Sequence, residues 1–176
     1  MFDCFFCKVY KQKRGIIYVN DYFYSRFDRY PITPGHAEII PKRHVVSLFD
    51  LKSVEWNALK GSLEDTIKII ESYNLKKMYT EFSKEPKDFD KESHWYTDLL
   101  KNPGDAKSRE FSQKMLTHVG INKKPDAYNF GNNDGEAAGR TVHHLHIHII
   151  PRYFGDVADP RGGIRYIIPE FANYKK

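Results

Sequence analysis

Three histidines alternate with apolar residues in one short stretch of the chain, residues 142–152. In an extended strand, successive side chains point to opposite faces, so His144, His146 and His148 share one face and the aliphatic residues share the other. Partly buried imidazoles each need a hydrogen-bond partner, so packing alone explains the pattern poorly. Three interpretations remain: a strand with a histidine-rich exposed face, a metal site, or nucleophilic catalysis by one neutral imidazole that its neighbours orient and supply with protons.

A second pattern lies at the N-terminus, where Cys4 and Cys7 are the only cysteines of the chain. Two cysteines at this spacing can provide half of a zinc site, can form a redox pair, or can remain an unligated reduced pair. Zinc is favoured, because no strand can precede the pair as a redox motif requires, and because histidines elsewhere can complete the ligand set.

Composition limits the class of protein. The 176 residues, 40% hydrophobic, are enough for one domain with a sizeable core. The net charge of +5 and the pI near 9.0 suit anionic ligands such as nucleotides, but without a basic stripe they make nucleic acid an improbable partner. No apolar run reaches the length of about 18 residues that spans a membrane, no signal peptide is visible, and two cysteines form no disulfide framework. We therefore expect a cytoplasmic protein without membrane association.

Residue patterns predict the elements that position these groups. Clusters of β-branched and aromatic residues between turn signals predict strands at 15–19, 22–27, 36–41, 125–132 and 164–168, besides the histidine strand. Helices are predicted at 53–72, with Asp50 or Ser53 as N-cap, and at 106–118. The first of these carries an apolar stripe of Trp56, Leu59, Leu63, Ile67 and Ile70. Residues 78–103 carry mixed charges and prolines, which predicts an excursion with little regular structure.

The segment before the histidines, residues 133–141, is polar and contains Gly135 and Gly139. Glycines and short polar residues allow backbone N–H groups to turn toward an anion, as in phosphate-binding loops. Because this loop leads directly into the histidine strand, we expect a phosphate to bind beside the imidazoles.

Together these motifs resemble the histidine triad (HIT) family of nucleotide hydrolases and transferases. The resemblance rests on His-x-His-x-His, the preceding Asn-Asp-Gly-Glu-Ala-Ala-Gly-Arg-Thr-Val, the following Ile-Pro-Arg, and Pro34-Gly35-His36 with its strand and Pro-Lys-Arg-His. It covers nearly the whole chain, which implies a single domain over residues 1–176 with an insertion at about 78–103, where members usually have a shorter connection. The implied fold is α+β, with an antiparallel sheet of about five strands and two main helices, and two such domains pair into a homodimer.

The resemblance also implies roles for individual residues. His146 would be the nucleophile, His148 would lie close to the phosphate and the leaving group, and His144 would complete the catalytic triad. The positions that bind nucleotide and phosphate correspond to Asp28, Asn133, Gly139, Thr141 and His148, with His36 as a supporting residue behind them. In the subset of the family with an N-terminal Cys-x-x-Cys, one structural zinc ion per chain would be bound by Cys4, Cys7, His44 and His144. His143 alternates onto the opposite face and is left out.

The function implied is hydrolysis of dinucleoside polyphosphates, such as diadenosine tetraphosphate, or of related nucleotide conjugates, at the α-phosphate through a nucleotidyl-histidine. Related phosphorylases and hexose-phosphate nucleotidyltransferases usually have Gln where this chain has His148, which argues against both. The nearest alternative is hydrolysis of nucleoside phosphoramidates. A nucleotide-binding regulatory protein without turnover would not need a nucleophile, and a zinc-dependent nucleic-acid binder would need a basic, aromatic-interleaved stripe that the chain lacks.

Overall fold

The computed structural model describes residues 4–172 of the chain, apart from the side chain of Phe171. Within this range the strands are β1 (Ile16–Val19), β2 (Phe23–Phe27), β3 (Ala37–Pro41), β4 (Ala127–Gly131) and β5 (Ile147–Arg152). They form one sheet in the order β1-β2-β3-β5-β4, in which every neighbouring pair is antiparallel. The predicted α+β fold with an antiparallel sheet of about five strands is confirmed.

Five α-helices accompany this sheet within the described range: α1 (Phe5–Gln12), α2 (Ser53–Ser72), α3 (Leu75–Phe82), α4 (Tyr96–Lys101) and α5 (Ala106–Leu116). The two main helices that were predicted are α2 and α5. Helix α1 was not predicted, although Phe6 and Val9 give it a buried face one helical turn apart. Over residues 4–172, no helix has both the length and the hydropathy needed to cross a membrane.

Alternation along the strands places different groups on the two sides of the sheet. Phe23, Ile39 and Ile149 point to the larger core, which includes residues of α2 and α3. Tyr24 and Ile40 point the other way and pack against α1. The α1 side also carries three polar residues, Arg26, Glu38 and His148, which are register partners across β2, β3 and β5. The chemically reactive groups therefore lie on the side of the sheet that α1 covers.

The N-cap predicted for α2 is wrong. Lys52 occupies this position, and its backbone N–H donates to the Glu55 carboxylate over 2.7 Å, so that neither Ser53 nor Asp50 caps the helix. Asp50 instead accepts the Ser47 backbone N–H over 3.0 Å and closes a preceding 3₁₀ turn. The Glu55 carboxylate, in the first turn of the helix, thus provides the hydrogen bond that caps this end.

The apolar stripe of α2 is confirmed except at one end. Leu59 and Ile70 are buried, and Leu63 and Ile67 are partly buried against the same core. Trp56, however, is 44% exposed and lies outside this stripe.

Residues 78–103 are more ordered than predicted. They contain the end of α3, a 3₁₀ turn at Pro86–Asp88 and α4. Phe89, Trp95 and Leu99 are buried in the same core as α2, and the Trp95 Nε1–H donates to the Tyr73 hydroxyl over 3.0 Å. Helices this short carry too few apolar residues to show periodicity, and packing rather than intrinsic propensity stabilises them.

Two of the strand predictions need correction. The segment predicted as a strand at 164–168 is a 3₁₀ helix, Gly163–Ile167, and both its first residue, Gly163, and the preceding Gly162 have positive φ. The histidine strand begins only at Ile147, so His144 and His146 immediately precede β5. Even so, the aliphatic residues between and after the histidines are buried in the core, as alternation predicts.

Replacing Trp95 with alanine tests whether residues 78–103 belong to the core. We expect the free energy of unfolding to fall by about 3–5 kcal/mol, because the substitution opens a cavity and removes the bond to Tyr73. The matched control is Trp56→Ala on the exposed side of α2. This substitution should change the free energy of unfolding by less than about 1 kcal/mol. Urea unfolding followed by circular dichroism measures both, and equal losses would contradict this view of the segment.

Candidate active site and metal centre

A groove of about 680 Å³ lies on the α1 side of the sheet, within the size range of small-molecule sites. Six residues predicted to act on a nucleotide line it: Asp28, Asn133, Gly139, Thr141, His146 and His148. They come from β5, the segments just before it and the loop after β2, so the fold brings them together. Of the other predicted residues, His36 and His144 lie behind this lining; His143, which was left out of the predicted site, is exposed outside it.

His146 is held in one tautomer by the backbone. Its Nδ1 lies 2.8 Å from the carbonyl oxygen of His144. A carbonyl only accepts hydrogen bonds, so Nδ1 carries the proton and Nε2 keeps its lone pair. The ring packs against Phe6 and His148, with centroids at 5.0 and 5.1 Å, and is 7% exposed. The groove therefore contains an oriented imidazole with one unprotonated nitrogen.

His148 is supported by a second histidine. Its Nδ1 lies 3.0 Å from His36 Nε2, and the Ile32 backbone N–H donates to His36 Nδ1 over 3.5 Å. This pattern assigns the proton of His36 to Nε2 and that of His148 to its own Nε2. The pKa of His148 is lowered to about 4, mainly by burial and also by the neighbouring His36 and His146, whereas Asp28 opposes the shift. His148 is thus a neutral hydrogen-bond donor at pH 7.

Asp28 lies beside this histidine pair. Its Oδ2 is 3.7 Å from His36 Nδ1 and 3.9 Å from His148 Nδ1, and its Oδ1 accepts the Tyr30 backbone N–H over 2.8 Å. Burial lowers the pKa of His36, and the Asp28 carboxylate partly opposes this effect. The acid is therefore placed at the edge of the groove, next to the rings that would contact a phosphate.

Glu38 was missed by the sequence analysis. It lies on β3, opposite both Arg26 and His148, and its carboxyl is within 4.8 Å of ring nitrogens of His146 and His148. The pKa of Glu38 is raised to about 8, mainly by burial and also by Asp28, whereas Arg26 opposes the shift. At neutral pH this carboxyl is mainly protonated and does not repel an anion in the groove. An acidic residue within an otherwise apolar strand was the available signal.

The loop before the histidines is shaped by two glycines. Gly135 and Gly139 have φ of +108° and +85°, a region that other residues rarely adopt, and a 3₁₀ turn lies between them. The Asn133 side-chain amide donates to the Gly139 carbonyl over 3.4 Å, and Arg140 Nη1 donates to the Val46 carbonyl over 3.1 Å. These bonds hold the loop against the groove.

Four potential metal ligands converge next to the groove: Cys4, Cys7, His44 and His144. Their Sγ and ring nitrogen atoms all lie within 4.8 Å of one another. The Cys4 Sγ to His144 Nδ1 distance is 3.3 Å, and Cys7 Sγ is 3.5 Å from Nδ1 of both histidines. In a tetrahedral zinc site with ordinary bond lengths, sulfur and nitrogen ligands are separated by roughly 3.5 Å. The four residues are therefore compatible with zinc.

The environment of this quartet also fits a cation. His144 Nε2 lies 2.9 Å from the Pro41 carbonyl oxygen, so it carries the proton and leaves Nδ1 free to bind a metal. Burial and the neighbouring Cys4 raise the pKa of the Cys7 thiol to about 11. A nearby positive charge, such as a metal ion, would therefore be needed to stabilise the Cys7 thiolate at neutral pH.

His144 connects the metal centre to the groove. Its ring nitrogens contact Cys4 Sγ and the Pro41 carbonyl, outside the groove, whereas its backbone carbonyl accepts the hydrogen bond from His146. The catalytic contribution predicted for His144 would therefore be made by positioning His146 and not by contact with a substrate.

Comparison with known proteins identifies relatives of this arrangement. A family model described as the HIT domain matches residues 10–85 and 96–155, and the break falls within the segment predicted as an insertion. An uncharacterised HIT-like protein of Methanocaldococcus jannaschii is 23% identical over 156 residues, which are 87% of this chain and 81% of that protein. An AP-4-A phosphorylase of Mycobacterium tuberculosis is 24% identical over 134 residues; these are 76% of this chain, which spans only 44% of the phosphorylase.

The fold is shared with solved structures. A crystal structure of a HIT family member from Bacillus subtilis matches with a TM-score of 0.55 at 20% identity, covering 88% of this chain and 77% of the other. At this level of identity the likeness concerns the fold.

The metal centre predicts a defined composition of the purified protein. We expect about one zinc ion per chain, and we expect Cys4→Ser combined with Cys7→Ser to lose it. Because four ligands fill a tetrahedral shell, loss of the ion should lower the thermal stability first and the activity only indirectly. Elemental analysis and thermal unfolding measure these effects.

Two exposed histidines provide a matched pair for the same test. His44→Ala should lose zinc, whereas His143→Ala, at a residue outside the quartet, should keep it. Protein that contains no metal when purified without chelator, or whose Cys4 and Cys7 react as free thiols in the native state, would contradict the assignment.

Proposed function

The chain belongs to the HIT domain family, and from that premise we propose that it hydrolyses dinucleoside polyphosphates or related nucleotide conjugates at the α-phosphate. The proposal rests mainly on the hydrogen bond from His146 Nδ1 to the His144 carbonyl, 2.8 Å long, which leaves a nucleophilic nitrogen in a groove of nucleotide size. A neutral imidazole with a free lone pair can attack phosphorus at pH 7.

In the proposed reaction, Asp28 binds the ribose hydroxyls, and Asn133, Gly139 and Thr141 hold the phosphate oxygens. Nε2 of His146 forms a bond to the α-phosphorus while the bond to the bridging oxygen breaks. The positive charge of the substituted imidazole is then stabilised by the His144 carbonyl, to which Nδ1–H still donates. His148 donates from Nε2 toward the leaving group. Water next cleaves the nucleotidyl-histidine, which releases a nucleoside monophosphate and restores the ring.

A zinc ion held by Cys4, Cys7, His44 and His144 would supply structural support only, because its shell has no position for water or substrate. It would fix the backbone of His144 and hence the carbonyl that orients His146. Since Cys4 and Cys7 must stay reduced to bind zinc as thiolates, a reducing compartment such as the cytoplasm is proposed.

Phosphorolysis is the second candidate, because a relative of this chain is an AP-4-A phosphorylase. His148 stands where related phosphorylases usually have Gln, which favours water as the acceptor. A turnover screen of diadenosine polyphosphates and adenosine phosphoramidate, with and without inorganic phosphate, separates the candidates. Release of AMP without phosphate supports hydrolysis, and phosphate-dependent ADP supports phosphorolysis. Binding of nucleotide with no product would support a regulatory protein.

His146→Ala, or His146→Gly, should abolish turnover while nucleotide still binds. The expected loss is at least about 1,000-fold in kcat, because removal of a covalent nucleophile eliminates the chemical step. His143→Ala, which changes an exposed neighbouring histidine, should retain near wild-type activity. Product release and nucleotide titration measure the two properties, and more than about a tenth of wild-type activity in a His146 variant would refute the assignment.

We also propose a symmetric homodimer. Strand β4 forms one edge of the sheet, and exposed apolar side chains lie on β4 and after β5, among them Phe130, Phe154 and Ile167. Open edges and apolar patches of this kind favour pairing. Light scattering at micromolar concentration should report about twice the chain mass, and a species of 20.7 kDa would refute pairing.

A further inference from the structure

A second cavity, of about 160 Å³, lies between the β1–β2 edge of the sheet and residues 78–103. Three arginines line it, Arg14, Arg26 and Arg29, and we call it the arginine cavity. The segment 78–103 contributes Trp95 and Asn102 to its wall. Its volume is about ten times the 10–15 Å³ that a single water requires, so a phosphate-sized group can enter.

Each of the three arginines has a buried Nε–H group without a hydrogen-bond acceptor within residues 4–172. Arg26 is only 4% exposed. A buried guanidinium with an unpaired N–H is costly, and three around one cavity are an arrangement that an anion would stabilise.

The lining of the cavity contains more cations than acids. Arg29 lies over the Phe82 ring at 4.2 Å and donates to the Pro103 carbonyl over 3.3 Å, and Arg14 lies 5.7 Å from the Phe5 ring. Among the described residues that line the cavity, Asp98 is the only acid. Burial and the nearby Arg26 lower the pKa of Arg29 to about 10, which is the effect expected where cations crowd together.

The arginine cavity lies next to the groove that contains His146. Arg26, Arg29 and Asn102 line both spaces. Between the arginines and the histidines lies Glu38, whose Oε2 is 4.0 Å from Arg26 Nε and whose carboxyl is within 4.8 Å of nitrogens of His146 and His148. The shared residues therefore place the arginine cavity beside the groove in which a chain of phosphates would bind at His146.

We propose that Arg14, Arg26 and Arg29 form a phosphate site for the distal end of the substrate's leaving group, closed by residues 78–103. Guanidinium groups suit this task, since their planar N–H donors bind phosphate oxygens in pairs. This inference rests on the proposed function and specifies it: the leaving group is a polyphosphate and not an uncharged amine. Residues 86–95, which the family match does not cover, contribute Trp95 to the wall of the cavity, whereas the three arginines lie within the matched residues 10–85.

Arg14 provides the sharpest test, because it lines the arginine cavity and not the groove. Binding of inorganic tripolyphosphate to the full-length chain is measured by calorimetry at fixed ionic strength. Arg14→Gln should weaken binding at least tenfold, as expected for loss of a charged hydrogen-bond donor. Arg161→Gln removes the same charge from an exposed residue that lines neither space, and should bind within about twofold of wild type.

Two results of this titration would overturn the inference: no binding of tripolyphosphate to the wild-type chain at millimolar concentration, or equal affinity in Arg14→Gln and Arg161→Gln. Arg14→Lys, which keeps the charge and the approximate length of the side chain, should recover part of the affinity. If it binds no better than Arg14→Gln although both unfold at the wild-type temperature, charge is not what binds the anion and the inference also fails.

A substrate comparison separates this inference from the proposed function. Arg14→Gln should lower kcat/KM for diadenosine tetraphosphate at least tenfold and leave kcat/KM for adenosine phosphoramidate unchanged, because ammonia carries no phosphate into the cavity. Equal losses on both substrates would refute the site. If the wild-type protein turns over neither compound, the proposed function fails, and tripolyphosphate binding still decides whether the arginine cavity binds phosphate.

Discussion

The hydrogen bond from His146 Nδ1 to the His144 carbonyl is the interaction on which the rest of the candidate site depends. It selects the tautomer of His146, and its acceptor belongs to a residue whose ring is held at both nitrogens, 3.3 Å from Cys4 Sγ and 2.9 Å from the Pro41 carbonyl. His144 therefore fixes the geometry of both the metal-ligand cluster and the groove. Any shift of the metal-side cluster would move the carbonyl and, with it, the orientation of the imidazole in the groove.

Helix α1 strengthens this dependence. Phe6 packs against the rings of both His144 and His146, with centroids at 5.9 and 5.0 Å, and its carbonyl accepts the Tyr24 hydroxyl over 2.8 Å. The same helix carries Cys7. An eight-residue helix is marginal by itself in water, so its position must come from these contacts and from any bound metal. The N-terminal segment is thus part of the candidate site and not an appendage to the sheet.

Features encoded over short, continuous stretches could be predicted from the sequence. Helix α2 was predictable because its apolar residues recur over twenty positions, and the His144–His148 pattern and the glycine loop are local. Helices α1 and α4 were not predictable, because the burial of residues such as Phe6 and Leu99 in the folded protein stabilises them. Glu38 and the arginine cavity also escaped prediction. Their surroundings depend on strand register, and Glu38 and its partner His148 are more than a hundred residues apart in sequence.

The protonation of Glu38 links the groove to the arginine cavity. If Glu38 were ionised, it would pair with Arg26, 4.0 Å away, and withdraw that guanidinium from any bound anion. Burial raises the pKa of Glu38 to about 8, so at neutral pH the carboxyl is mainly neutral and the charge of Arg26 stays available. A phosphate entering the groove would disfavour ionisation of the acid further, since like charges repel. The same burial that makes this carboxyl difficult to ionise therefore preserves the positive charge that the phosphate would bind.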